Sequence, residues 1–142
     1  EVEFMKKGFA LVELLIVLAV IAALMAVATP MAMNAVKQAK ASQVAQNLNA
    51  LKSAAEQYVY SEKVLPQKID DLKTYMSQIP EKYVLGFTPS ASADNNIDDG
   101  TATIIIGYNG GDVLVNDVKK QYSAVEASGT VPVVLVQVSK WW

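Results

Sequence analysis

Hydrophobic positions along the chain fall into three regimes: one solid run, one helical stripe, and short β-branched runs between turn residues. Phe9 to Ala28 is apolar throughout, apart from Glu13. About twenty such residues are what a helix needs to cross a hydrocarbon core roughly 30 Å thick. Lys6-Lys7-Gly8 lead into the run and Thr29-Pro30 close it. Farther on, Val44, Leu48, Leu51, Ala55 and Tyr58 recur at spacings of four and three, one stripe of an amphipathic helix. Lys37, Gln38, Gln43, Gln46, Asn47, Lys52, Ser53 and Glu56 occupy its other faces. No glycine falls between Phe9 and Leu65, and Pro30 is the sole breaker there. The pattern predicts one helix over residues 9–60, about 75–80 Å long. Pro30 withholds a backbone donor and is expected to kink it.

After the break at Ser61–Pro66 the periodicity shortens. Ile69, Leu72, Tyr75 and Met76 predict a short amphipathic helix ended by Pro80, with Asp70 and Asp71 in its first turn. Thr101–Tyr108 is a β-branched run, and Asn109-Gly110-Gly111 then Asp112–Val115 predict a hairpin. Asn116-Asp117 are placed to cap a short helix with Val118, Tyr122 and Val125 on one face and Gly129 as its stop, a strand being the alternative. Val131–Val138 predicts a last strand, with Pro132 tolerable near its start or on an edge. Trp141-Trp142 are expected to pack against the domain. The fold class is therefore α+β: a long N-terminal helix on a small antiparallel sheet of three to four strands.

Composition narrows the chemistry. The 142 residues carry 12 basic side chains, all Lys, against 14 acidic ones, a net charge of −2. Without Arg there is no planar fork for base edges, so sequence-specific nucleic-acid reading is not expected. Histidine and cysteine are absent, which removes Ser-His and Cys-His nucleophile pairs, the usual zinc ligands and any disulfide. No enzyme constellation remains. The loop Asp94-Asn95-Asn96-Ile97-Asp98-Asp99-Gly100 offers Asp94, Asn96, Asp98 and Asp99 as weak calcium candidates. It departs from an EF-hand loop, with Asp99 in the place of glycine and Ile105 in the place of the closing Glu, and a solvated turn is the favoured reading. No cofactor is expected otherwise.

Three readings compete for residues 5–33. An ordinary signal peptide would use Ala26-Val27-Ala28 as its cleavage site, but the run exceeds the usual 7–15-residue core. A plain signal anchor explains the length and leaves Glu13 without a purpose; a carboxylate inside such a run is a functional-site candidate in its own right. The third reading rests on Lys6-Lys7-Gly8-Phe9-Ala10-Leu11-Val12-Glu13-Leu14-Leu15-Ile16-Val17 with Pro30. This stretch resembles the N-terminal signature of type IV pilins and type II secretion pseudopilins. Ala10, Val12 and Ala22 depart from it, standing where Thr, Ile and an unwinding glycine are frequent.

The resemblance implies cleavage by a prepilin peptidase between Gly8 and Phe9, N-methylation of Phe9, and an assembly role for Glu13. It also implies a pilin fold and a homo-oligomeric helical filament, raised by an inner-membrane platform and motor. The expected division is a leader at 1–8 (with residues 1–4 a possible cloning remnant), a membrane-spanning helical half at 9–29, an amphipathic half at 30–60, and a globular head at 61–142. Before assembly the subunit would be a single-pass protein of the inner or cytoplasmic membrane, in contact with lipid, its C-terminal domain outside because Lys6 and Lys7 hold the other end in the cytoplasm. The filament itself would be extracellular or periplasmic. A pilus subunit is preferred; a pseudopilin of a secretion or competence system, and a signal-anchored extracytoplasmic binding domain, are the alternatives.

Overall fold

Helix α1 runs from Val2 to Glu62 without interruption, so the expected leader is helical together with the apolar run. The structure is a computed structural model describing residues 2–88 and 100–141, Phe4 through its backbone alone. The weak calcium candidates Asp94, Asn96, Asp98 and Asp99 lie outside the described residues, as does Trp142. The chain divides into two units, residues 1–37 (the stem) and residues 38–142 (the head).

The stem is α1 alone. Thirteen large apolar side chains from Phe9 to Val27 are each at least 47% exposed. Burying a side chain of this kind is worth about 1.5–3 kcal/mol, so the stem calls for an apolar environment that its own chain does not supply. At Pro30 the helix continues, though the Ala26 carbonyl faces a residue with no N–H to give. One turn back, the Thr29 Oγ1 hydroxyl donates to the Met25 carbonyl at 2.8 Å.

The head begins where α1 acquires a buried face. Ala41, Val44, Ala45, Leu48, Leu51, Ala54, Ala55 and Val59 are buried, following the expected stripe with Val59 in place of the half-buried Tyr58. α1 ends at Glu62, and Lys63 just beyond it takes a left-handed φ of 60°. The short amphipathic helix expected next forms as a 3₁₀ turn over Ile69–Thr74, ending before Pro80, and seats Leu72 in the core. The Asp71 carboxylate accepts from the Gln67 and Lys68 N–H groups at 2.8 and 2.9 Å, tying off the turn's open donors.

Four strands form one antiparallel sheet: β1 Tyr83–Phe87, β2 Thr101–Tyr108, β3 Val125–Ser128 and β4 Val131–Ser139, in spatial order β1-β2-β4-β3. The pairs Ile104↔Val136, Ile106↔Val134 and Leu85↔Ile106 set the register. Period-two alternation then turns Ile104, Ile106, Val134, Val136 and Val138 onto the face packed with α1. This is the α+β layout expected, with a long helix packed on a four-stranded antiparallel sheet.

Two local expectations are corrected. Asp112–Val115 forms no hairpin with β2, because β1 and β4 already occupy both edges of β2. The chain instead loops into helix α2, Val115–Gln121, which starts at Leu114 with no side-chain cap. Val125 and Gly129 do not extend or stop that helix: Val125 opens β3, and Gly129, at φ +63°, begins the two-residue turn into β4. Tertiary pairing with the β-branched β4 wins over the local helical spacing. Pro132 is accommodated because the β2 ladder ends at Val133, one residue short of it.

Candidate functional site

The residues singled out at the N-terminus share one helix, and its geometry relates them. Phe9 and Glu13 are four residues apart, hence on the same face, one turn from each other. Both are exposed, Phe9 to 68%, and no side-chain hydrogen bond or ion pair involving either is found among the described residues. Gly8 is equally instructive. A Cβ built there would meet nothing within 4 Å, and the residue sits in regular helix, so neither space nor backbone conformation within this chain calls for glycine. From Leu14 to Val36 there is no charged residue, so Glu13 stands alone in the apolar segment.

Against this geometry the sequence comparison is decisive for the stem. Residues 4–29 match the family model described as the prokaryotic N-terminal methylation motif. This is the N-terminal signature of type IV pilin and pseudopilin precursors. It begins at Phe4, inside the expected leader, and takes in the Gly8–Phe9 junction, Glu13 and the apolar run as far as Thr29. The prepilin-type motif is confined to the stem, while the layout of the head beneath a long N-terminal helix matches the pilin fold. No curated protein and no solved structure matches the chain.

Among the described residues of the head, no three acidic side chains gather to hold a cation. One polar cluster of the head lies where α1 meets the start of β1 and the end of β2. Tyr108 Oη donates to Asp112 Oδ1 at 2.7 Å, and Lys40 Nζ meets Asp112 Oδ2 at 3.0 Å. The Tyr108 hydroxyl and the Lys40 ammonium hold the Asp112 carboxyl down to about 2. The same hydrogen bond, with burial, pushes the Tyr108 phenol up to about 12. Tyr83 packs beside Tyr108 with ring centroids 5.0 Å apart. Its hydroxyl is buried without a hydrogen-bond partner among the described residues, and burial raises its pKa against the influence of the nearby Asn47.

None of this cluster was legible as a site in the sequence, because Lys40 and Asp112 are 72 residues apart. The weak signal present was Asn109-Gly110-Gly111 beside an aspartate, and it pointed to a hairpin instead. Strand β1 was missed as well; its clue was the apolar run Tyr83-Val84-Leu85, with an aromatic and a β-branched residue, between Lys82 and Gly86.

Proposed function

We propose that this protein is the structural subunit of a type IV pilus filament, assembled through its N-terminal helix after prepilin peptidase cuts between Gly8 and Phe9. The prepilin-type motif over residues 4–29 is the observation that carries the reading. It is supported by a stem long and apolar enough to cross a membrane, with no burial inside its own chain. Before assembly the stem is anchored in the membrane. Cutting removes Lys6 and Lys7 and leaves a cationic, N-methylated amine on Phe9, one turn from Glu13. In the filament the amine of one subunit sits beside Glu13 of a neighbour, in an apolar surrounding where an unpaired carboxylate is costly. The contact joins one patch to a different patch and so propagates as an open helix. Pro30 gives the stem a point of bending as it leaves the bilayer. Assembly energy comes from a separate platform and motor, since the chain holds no nucleotide-binding loop.

The test is Glu13→Ala. The variant is expected to insert and be processed normally, yet to yield no surface fibres by electron microscopy; fibres at wild-type density would refute the pairing. Fibres confined to the periplasm and dependent on secretion genes would assign the wild-type protein to the pseudopilins.

A further inference from the structure

The loop after β2 is built around one carboxylate. Tyr108, at the end of β2, is 9% exposed and folds back so that its hydroxyl reaches Asp112 four residues on. Gly110 makes this possible: a Cβ there would run into the Tyr108 ring. The second oxygen of Asp112 is taken by Lys40 on α1. Besides Asp112, the loop is tied by the Asn109 N–H to the Lys82 carbonyl at 2.8 Å and by half-buried Val113 against the core. Gly110 and Gly111 lack side chains and Leu114 is 69% exposed, so Asp112 is the loop's one side-chain tie to α1 among the described residues. Lys40 is equally particular in its place. Every residue from 31 to 40 is exposed, and Ala41, the next, is 1% exposed and the first residue of the core. The division between the two units falls at Lys37, just before it.

We propose that Tyr108, Asp112 and Lys40 form a clasp that holds α1 to the head where the helix enters it, so that the head's cooperative fold begins at Lys40. Proteins open locally as well as globally, and a tertiary tie where a helix enters its core decides whether the first buried turns open along with the exposed ones. The clasp thus keeps strain or pulling on the stem from peeling α1 off the sheet. Asn109-Gly110-Gly111, with its hairpin spacing, serves to let Tyr108 reach back and bring Asp112 onto α1.

Hydrogen exchange followed by mass spectrometry on the full chain in detergent micelles tests this without reference to filament assembly. In Asp112→Asn, peptides covering residues 40–48 should exchange about three- to tenfold faster, while those over residues 51–59 and over β2 and β4 keep wild-type rates. Exchanging the charges, Lys40→Asp with Asp112→Lys, should bring residues 40–48 back to within about twofold of wild type. Unchanged exchange at residues 40–48 in a folded Asp112→Asn protein would overturn the clasp, as would a uniform rise across the whole head. Lys40→Met gives a second route, because it leaves the Tyr108–Asp112 contact in place and removes only the tie to α1. If Asp112→Asn does not fold, wild-type exchange in Lys40→Met is by itself sufficient to reject the proposal.

Discussion

Tyr83 and Tyr108 are paired rings whose hydroxyls have opposite consequences. The Tyr108 hydroxyl bonds Asp112, so Tyr108→Phe should lower stability by about 1 kcal/mol, the usual worth of such a bond. The Tyr83 hydroxyl is buried with no partner among the described residues, so Tyr83→Phe should be neutral or slightly stabilising. Chemical denaturation of the two variants side by side checks the contrast, and an equal loss in both would show that Tyr83 is bonded after all. The Asp112 carboxyl has its own signature in pH. Its folded pKa of about 2 lies below the ordinary 3.8, so its contribution is complete above about pH 4 and is lost as pH falls toward 2. The melting temperatures of wild type and Asp112→Asn should therefore converge over that interval. Tyr108, raised to about 12 from 10.0, gives the mirror case: the same bond persists below about pH 10 and is lost as pH climbs to 12.

Among the elements, α1 carries most of the protein's organisation, and both its interior and its end break a local rule. Pro30 lies inside it and Lys63 terminates it in a left-handed conformation that glycine ordinarily provides. At Lys63 the strain has no return visible in hydrogen bonding beyond the Lys63 N–H to the Val59 carbonyl, a backbone contact that any residue would make. The Lys63 ammonium also lies 5.7 Å from the centre of the Trp141 ring, a contact worth about 0.5 kcal/mol at an exposed site. Relief of a left-handed backbone by glycine is worth about 1 kcal/mol. Lys63→Gly should therefore leave the head unchanged or raise its stability by up to about 0.5 kcal/mol, read as the shift in denaturation midpoint. A loss above about 1 kcal/mol would instead make the Lys63–Trp141 contact a principal tie of the helix end.

At the scale of the whole molecule, the two units solve opposite problems. Head residues from Ala41 onward bury a core drawn from α1, the 3₁₀ turn, all four strands and α2, with no stem residue in it. A chain starting at Gln38 is therefore expected to fold alone, with a cooperative melt and dispersed amide resonances; a molten fragment would show that the stem contributes to the head's stability. The stem has no such closure, and its large apolar side chains from Phe9 to Val27 stay exposed. Its signals were legible because each is local: an apolar run long enough for a bilayer, one carboxylate, and a Gly-Phe junction all stand within thirty residues. The junction of Lys40, Tyr83, Tyr108 and Asp112 was illegible for the opposite reason, since it assembles from three distant segments.

What the amino-acid sequence determined by itself is the stem, the helical stripe and the α+β class, because hydrophobic periodicity alone dictates which faces must be buried. Only the tertiary structure decided the strand order, the fate of Asn109-Gly110-Gly111 and the strand at Val125. Each of these depends on which edge of β2 or β4 was already occupied, and pairing between distant strands leaves no mark in local spacing. The same reason hid the clasp: an ion pair across 72 residues exists only once the sheet has brought Asp112 to α1.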